Sequence, residues 1–246
     1  MTHTAVITGS AGGIGAATAV CMAEAGASVY LVDRSPAVLE TRDRINAAGG
    51  RAVARVMDVT DVSEWESAAD ECREVLGAAD AFVSNAYTVE VVDVEATSLA
   101  SWERQVSVNL TGGFLGFKTL LPQLREHDAA AVVFVSSVHA HFGLPGRAAY
   151  ASTKAALTGL TRQLAVEYGP RIRVNSVLPG PVRTAAWDGI GEEERRQSAE
   201  ATAMDRLGDP SEVGEAIAFL CSDRASFITG VELPVDGGWS VKKASA

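Results

Sequence analysis

Cysteine is scarce in this 246-residue chain: Cys21, Cys72 and Cys221 lie far apart, are odd in number and form no CxxC pair. That argues against a disulfide framework and leaves three small hydrophobic side chains in a reducing compartment. Runs of Lys and Arg are also missing. With 21 basic against 31 acidic side chains the formal charge is −10, so a polyanion is repelled and a nucleic-acid partner is not expected. The longest apolar run, around 129–135, is far short of the roughly 20 residues that span a bilayer. No secretory segment fits the start, because apolar alternation begins by Ala5 and Gly9 interrupts it. A soluble, cytoplasmic protein with no membrane partner is expected. An apolar share of 47% with 21% charged residues excludes a disordered chain and is enough for a sizeable core.

Seven β-branched runs recur: TAVIT (4–8), ASVYLVD (27–33), RAVARVMDV (51–59), ADAFVSN (79–85), AAVVFVSS (130–137), IRVNSVLPG (172–180) and VELPVDGG (231–238). Longer alanine-rich segments with charged faces separate them. This alternation predicts βαβ units, hence an α/β fold with a parallel sheet and helices on both faces. Continuous runs such as AAVVFV suit strands buried on both sides. Ala156, Leu157, Leu160 and Leu164 share one face of a helix over 149–168, and Pro170 follows its end. A second long helix is predicted over 98–126. The polar stretch 181–209 breaks the rhythm and reads as a small helical flap. No repeat or linker interrupts the pattern, so residues 1–246 are expected to form a single domain.

Glycines 9, 12, 13 and 15 crowd the turn of VITGSAGGIGAATAV between the first strand and first helix. Glycine lets a backbone approach a pyrophosphate, and a helix N-terminus offers unpaired N–H groups and the positive end of a dipole. The spacing is neither GxGxxG nor a Walker loop; it is TGxxxGxG, from Thr8 to Gly15. Asp33 ends the second strand, where a carboxylate accepts ribose hydroxyls and repels the 2′-phosphate of NADP. Arg34 beside it can pair with that phosphate, so NAD is favoured and NADP kept open. Asp33 can equally serve a turn or helix cap. Asp58, after the third strand, either meets the adenine amino group or caps the helix that follows.

Tyr150 and Lys154 lie four residues apart and share a helix face. A free tyrosine, with a pKa of about 10, is a poor base near neutrality, and a neighbouring ammonium favours its phenolate. Ser137 closes the fifth strand at its carboxyl end, where open α/β sheets bind ligands. A YxxxK pair alone is weak; with the strand-end serine and the glycine loop it is not.

These pieces together resemble the short-chain dehydrogenase/reductase family over nearly the whole chain. The matching motifs are TGSAGGIG (8–15), Asp58-Val59, SNAY (84–87), Asn109 in VSVNLTG, Ser137 in VFVSS, YASTK (150–154), LPGPVRT (178–184) and ITGVELPVDGG (228–238). The resemblance implies a Rossmann-like doubly wound parallel sheet of about seven strands in order 3-2-1-4-5-6-7. It implies Tyr150 as general acid/base, Lys154 as the residue that lowers its pKa and holds the nicotinamide ribose, and Ser137 as the group that polarises the substrate oxygen. Asn109 would anchor a water linking Lys154 to solvent, or be a mid-helix polar residue satisfied by a carbonyl. Cofactor contacts are implied for Gly9, Ser10, Gly13, Ile14 and Gly15 in the loop, and for Asp33, Arg34, Asp58 and Val59 after strands two and three. Asn85, Ala86, Tyr150, Lys154, Pro179, Gly180, Val182 and Thr184 complete that set. No metal is required. A homotetramer or homodimer is implied, through the helices over 98–126 and 149–168 and through the last strand.

Two departures concern the substrate. Tyr87 stands where the family has the glycine of NAG, and either walls the pocket or lies outward. His139 and His141 stand where small residues are usual. His139 either faces the substrate, which suggests a polar sugar- or polyol-like alcohol, or packs elsewhere. Leu144 and Trp187, with Ile190, are expected to close the pocket. Arg183 either meets a carboxylate or lies on the surface. The expected activity is NAD-dependent interconversion of a small polar secondary alcohol and its ketone. The alternatives are an NADPH-dependent 3-ketoacyl or carbonyl reductase and a non-catalytic dinucleotide-sensing protein.

Overall fold

The computed structural model describes residues 4–243. Strands β1 (Thr4–Thr8), β2 (Ser28–Asp33), β3 (Arg51–Val56), β4 (Ala81–Ser84), β5 (Ala130–Val135), β6 (Ile172–Pro179) and β7 (Glu232–Val235) form one sheet. Every pairing is parallel and the order is β3-β2-β1-β4-β5-β6-β7. The first connection runs outward to β3 and the chain then returns to β4 on the other side of β1. The order therefore reverses between β1 and β4, and a crevice opens outside the strand carboxyl ends at that point.

Helices α1 (Gly13–Glu24), α2 (Val38–Ala47) and α8 (Pro210–Cys221) cover one face; α3 (Val62–Leu76), α5 (Gly112–Leu124) and α6 (Ala148–Tyr168) cover the other. Strand β5 shows why its run is wholly apolar. Val132 and Phe134 pack among Trp65, Phe82 and Leu157 on one side, while Ala131, Val133 and Val135 pack with Ile217 and Leu220 on the other. Side chains alternate along a strand, so a sheet covered twice needs apolar residues at both parities.

The helix predicted over 98–126 is interrupted. It runs as α4 (Leu99–Val106), a π-helical segment at Ser107–Thr111, and then α5. Periodicity cannot reveal an inserted residue of this kind, and such bulges concentrate at functional sites. The flap is pinned at both ends. Gly208 N–H donates to Pro181 and Arg183 N–H to Gly208, while Lys242 Nζ donates to the carbonyls of Glu200 and Thr202. Within the flap lies α7 (Glu192–Glu200). No helix among the described residues is long and apolar enough to cross a membrane.

Helix α5 lies close to the sheet because of its glycines: a Cβ at Gly116 would sit 2.6 Å from Phe82 Cζ and 2.7 Å from two Trp65 ring atoms. Gly116→Ala gains up to about 1 kcal/mol of helix propensity but overpacks two buried rings, at a cost of about 1–3 kcal/mol. A net loss of stability is expected, read as a lower urea midpoint with an unchanged m-value.

Candidate active site

A cleft of about 680 Å³ runs along the carboxyl ends of the strands, floored by the glycine loop at one end and roofed by the flap at the other. It brings together Gly9, Gly13, Ile14, Asp33, Arg34, Asp58, Val59, Asn85 and Ala86 from β1 to β4 with Ser137, Tyr150, Lys154, Pro179, Gly180, Val182 and Thr184 from β5 onward. Three expected residues lie behind this surface. Ser10 is fully buried, its hydroxyl donating to the carbonyls of Ile7 and Val32 at 3.1 Å each, so it braces the loop against β2. Gly15 is buried because a Cβ there would fall 2.1 Å from the Gly9 carbonyl oxygen. Asn109 is 1% exposed. Its Oδ1 accepts from Thr88 N–H at 2.7 Å, and its Nδ2 donates to the Thr88 carbonyl and to Thr153 Oγ1. Both amide hydrogens and one carbonyl lone pair are thus committed to protein partners, and the alternative of a satisfied mid-helix amide describes its contacts.

At the glycine-loop end, α1 has no side-chain cap and no acidic residue in its first turn; α2, α6 and α7 likewise lack a side-chain cap, whereas Asp61 and Ser98 cap α3 and α4 and Asp209 and Glu212 form a capping box on α8. Nothing lies within 4 Å of a Cβ built on Gly12, so there is room for an anion at this helix N-terminus. Asn85 holds the loop in place by donating through Nδ2 to the carbonyls of Thr8 and Gly9. Asp33 accepts from Ala11 N–H at 2.9 Å through one carboxylate oxygen and from Ser35 N–H at 2.8 Å through the other. It therefore serves a turn and still faces the cleft, with a lone pair on each oxygen left over. Asp58 is not the cap of α3, which is Asp61; its Oδ1 accepts from the backbone and hydroxyl of Thr60.

At the other end, helix α6 carries Tyr150 and Lys154 one turn apart. Lys154 is 2% exposed and its Nζ donates to the Val135 carbonyl at 2.7 Å. The amine lies 5.5 Å from the ring centres of both Tyr87 and Tyr150. The Ser137 hydroxyl acts on the Tyr150 phenol in the direction that favours the phenolate. Burial outweighs it and pushes the phenol up to about 12; Tyr87 adds to the rise and Arg147 opposes it. Burial also pushes Lys154 down to about 7. Lys154 does not figure among the influences on the phenol, and burial lowers the amine's own pKa.

Aromatic rings wall the space beside Tyr150. Tyr87 stands edge-on to it at 6.1 Å and His139 at 5.8 Å, and Trp239 lies 6.4 Å beyond His139. Tyr87 thus takes the walling alternative although 46% of it remains exposed. His139 faces the cleft; burial, its largest influence, and Arg147 both lower its pKa. Its Nδ1 is buried with no hydrogen-bond partner of normal geometry among the described residues. Leu144, Trp187 and Ile190 line the same space. His141 instead pairs with Glu232 of β7 at the surface. Arg183 does not reach the cleft, whereas Arg104 and Arg147 do. Sequence reasoning missed Arg147, Arg104 and Trp239. The tryptophan follows the matched VDGG motif directly, which was the available signal.

Fold and cleft together define a dinucleotide-dependent α/β oxidoreductase. The chain belongs to the short-chain dehydrogenase/reductase family: a family model described as enoyl-(acyl carrier protein) reductase matches residues 9–240. Two curated relatives cover 96% of both chains. One is 2,5-dichloro-2,5-cyclohexadiene-1,4-diol dehydrogenase LinX of Sphingobium indicum, 36% identical over 239 residues. The other is cis-4-hydroxycyclohexanecarboxylate dehydrogenase of Sinomonas cyclohexanicum, 38% identical over 238 residues. The solved glucose/ribitol dehydrogenase of this family from Brucella melitensis is 34% identical, with a TM-score of 0.90 and 96% of each chain covered. Members use nicotinamide dinucleotides, and the uncapped α1 terminus with Asp33 beside it fits such a group.

Lys154 makes stability depend on pH in a defined direction. Its pKa is near 10.5 unfolded and about 7 folded. Between those values the unfolded chain binds the extra proton, so this group contributes stability that rises with pH across the window. Tyr150, raised to about 12, contributes stability present below its unfolded pKa of about 10 and lost above it. Urea unfolding from about pH 7 to about pH 9 should therefore show wild type gaining stability relative to Lys154→Met. A flat difference would contradict the buried neutral amine.

Proposed function

We propose that this protein oxidises a small secondary alcohol borne on a carbon ring, with NAD as the hydride acceptor and Tyr150 as the general base. The observation that carries the reading is the meeting of Ser137, Tyr150 and Lys154 in one aromatic-walled cleft that continues to an uncapped helix terminus. Two relatives are named as dehydrogenases of ring alcohols. Val89, Val91, Leu144, Trp187 and Trp239 line the cleft, and this apolar share favours a carbocycle over the sugar or polyol expected from His139 alone.

The dinucleotide would be held by the first turn of α1, by Asp33, by the backbone at Gly180 and by Lys154 and Thr184. When bound it supplies the hydride acceptor and, in its oxidised form, a positive charge near the phenol. Ser137 and Tyr150 hold the alcohol oxygen between their hydroxyls. Tyr150 takes the hydroxyl proton as the carbinol hydrogen leaves as hydride. Lys154 keeps its Nζ beside the ring, where any charge it carries favours the phenolate. Asn109 positions this set by fixing Thr88 and, through Thr153, the start of α6. Asp33 favours NAD by accepting ribose hydroxyls and repelling a 2′-phosphate; Arg34 is the group that would favour NADP.

Absorbance at the nicotinamide band, with NAD and NADP against a panel of cyclic alcohols, tests this directly. Tyr150→Phe should lower kcat by about 10²–10⁴-fold while dinucleotide affinity barely changes. Asp33→Ser should shift the NAD/NADP preference in kcat/KM toward NADP by about tenfold or more. Near-normal turnover by Tyr150→Phe removes the proposed base, and a wild-type preference for NADP favours the carbonyl reductase reading. We also propose a homotetramer or homodimer. Exposed Leu99, Trp102, Phe114 and Val166 on α4, α5 and α6, with Phe227 before β7, supply apolar surface for it; light scattering would report the mass.

A further inference from the structure

We propose that Arg147 binds a carboxylate on the substrate, so that the ring alcohol oxidised here carries an anionic group. The proposal rests on the cyclic-alcohol reading above and names the class of substrate within it.

Arg147 is the residue immediately before α6, three positions ahead of Tyr150, and its side chain lines the cleft. It is half-buried, and among the described residues it makes no side-chain hydrogen bond and no ion pair. Its charge acts on Tyr87, His139 and Tyr150, and it lines the cleft together with all three. Of the other arginines that are not exposed, Arg42 pairs with Asp43, Arg55 with Glu71, and Arg173 donates to the carbonyls of Leu220 and Ser222. Arg147 has neither kind of partner among the described residues.

The acidic residues that line the cleft stand at one end of it: Asp33 ends β2, with Arg34 beside it, and Asp58 follows β3. Arg147 follows β5, and β1 and β4 separate β2 from β5 in the sheet. Arg104, from α4, adds a second cation to the lining. A neutral ring alcohol would leave Arg147 facing apolar surface with its five donors unused. A carboxylate would accept two parallel hydrogen bonds from the guanidinium fork. Residues 147 and 150 lie within one helical turn, so the anchored anion and the carbinol oxygen at Tyr150 would sit on opposite sides of one small ring. The anchor would orient the ring and leave the chemical step to other groups.

The test compares 4-hydroxycyclohexanecarboxylate with its methyl ester, both isomers of each, using the purified protein with saturating NAD. Wild type should favour the acid in kcat/KM. Arg147→Met should lower the acid-to-ester ratio by about 10–100-fold, chiefly through KM, and Arg147→Lys should restore part of it. A second readout needs no turnover: calorimetry of cyclohexanecarboxylate, which has no hydroxyl to oxidise, against cyclohexanecarboxamide, on the NAD-loaded protein. The acid should bind more tightly, and Arg147→Met should remove the difference with an unchanged melting temperature. If acid and ester are oxidised alike, or Arg147→Met weakens both equally, the carboxylate proposal is overturned and the cyclic-alcohol reading stands. If neither is oxidised, the cyclic-alcohol reading fails, and the binding difference still decides what Arg147 holds.

Discussion

A lysine amine buried between two tyrosine rings is the constraint on which the cleft depends. Taking an amine out of water is costly unless its protons find acceptors or the group loses its charge. Lys154 does both: its Nζ donates to the Val135 carbonyl at the end of β5, and burial brings its pKa down to about 7. The same turn of helix is fixed from several sides. Ser136 donates to the Lys154 carbonyl, Thr153 to the Tyr150 carbonyl and Asn109 to Thr153. Strand β5, helix α6 and the π-helical segment between α4 and α5 are thus tied into one network at the point where the proposed base stands. Fully satisfied networks of this kind hold a single arrangement, because every broken bond would strand a buried polar group.

Burial holds the phenol high and the amine low. In the proposed mechanism an oxidised dinucleotide would add positive charge near the phenol and so favour its phenolate. Along the cleft, the carboxylates of Asp33 and Asp58 stand at the ends of β2 and β3 with Arg34 beside the first, while Arg147 lines the space with Tyr150. The aromatic wall of Tyr87, His139 and Trp239 lowers the local polarity between them, which strengthens each interaction it surrounds.

Close packing makes this geometry rigid. The Gly9 carbonyl lies against Gly15, the Asn85 amide clamps the loop, and Gly113 and Gly116 let α5 settle onto Ser84, Phe82 and Trp65. None of these contacts is catalytic. They set where the carboxyl ends of β1 and β4 stand, and the crevice between them is what admits a ligand.

The strands and their parallel arrangement were legible in the chain, because alternation of apolar runs with amphipathic segments is a local property; the reversal of order was implied only by the family resemblance. So was the set Ser137, Tyr150 and Lys154, whose residue types and spacing carry chemistry on their own. Ser10 and Asn109 read as cleft residues in the motif but lie behind its surface; only packed neighbours reveal which way a polar side chain turns. The π-helical segment escaped for the same reason, since Asn109 within it bonds Thr88 and Thr153, which lie far off in the chain. Periodicity and residue chemistry in the chain were enough to fix the strands and the glycine turn between β1 and α1. Tertiary structure alone decided that Arg147 and Trp239 share a cleft with Tyr150, that Arg183 does not, and that burial outweighs Ser137 and Arg147 at the phenol. Those outcomes depend on distances and desolvation created by elements far apart in the chain.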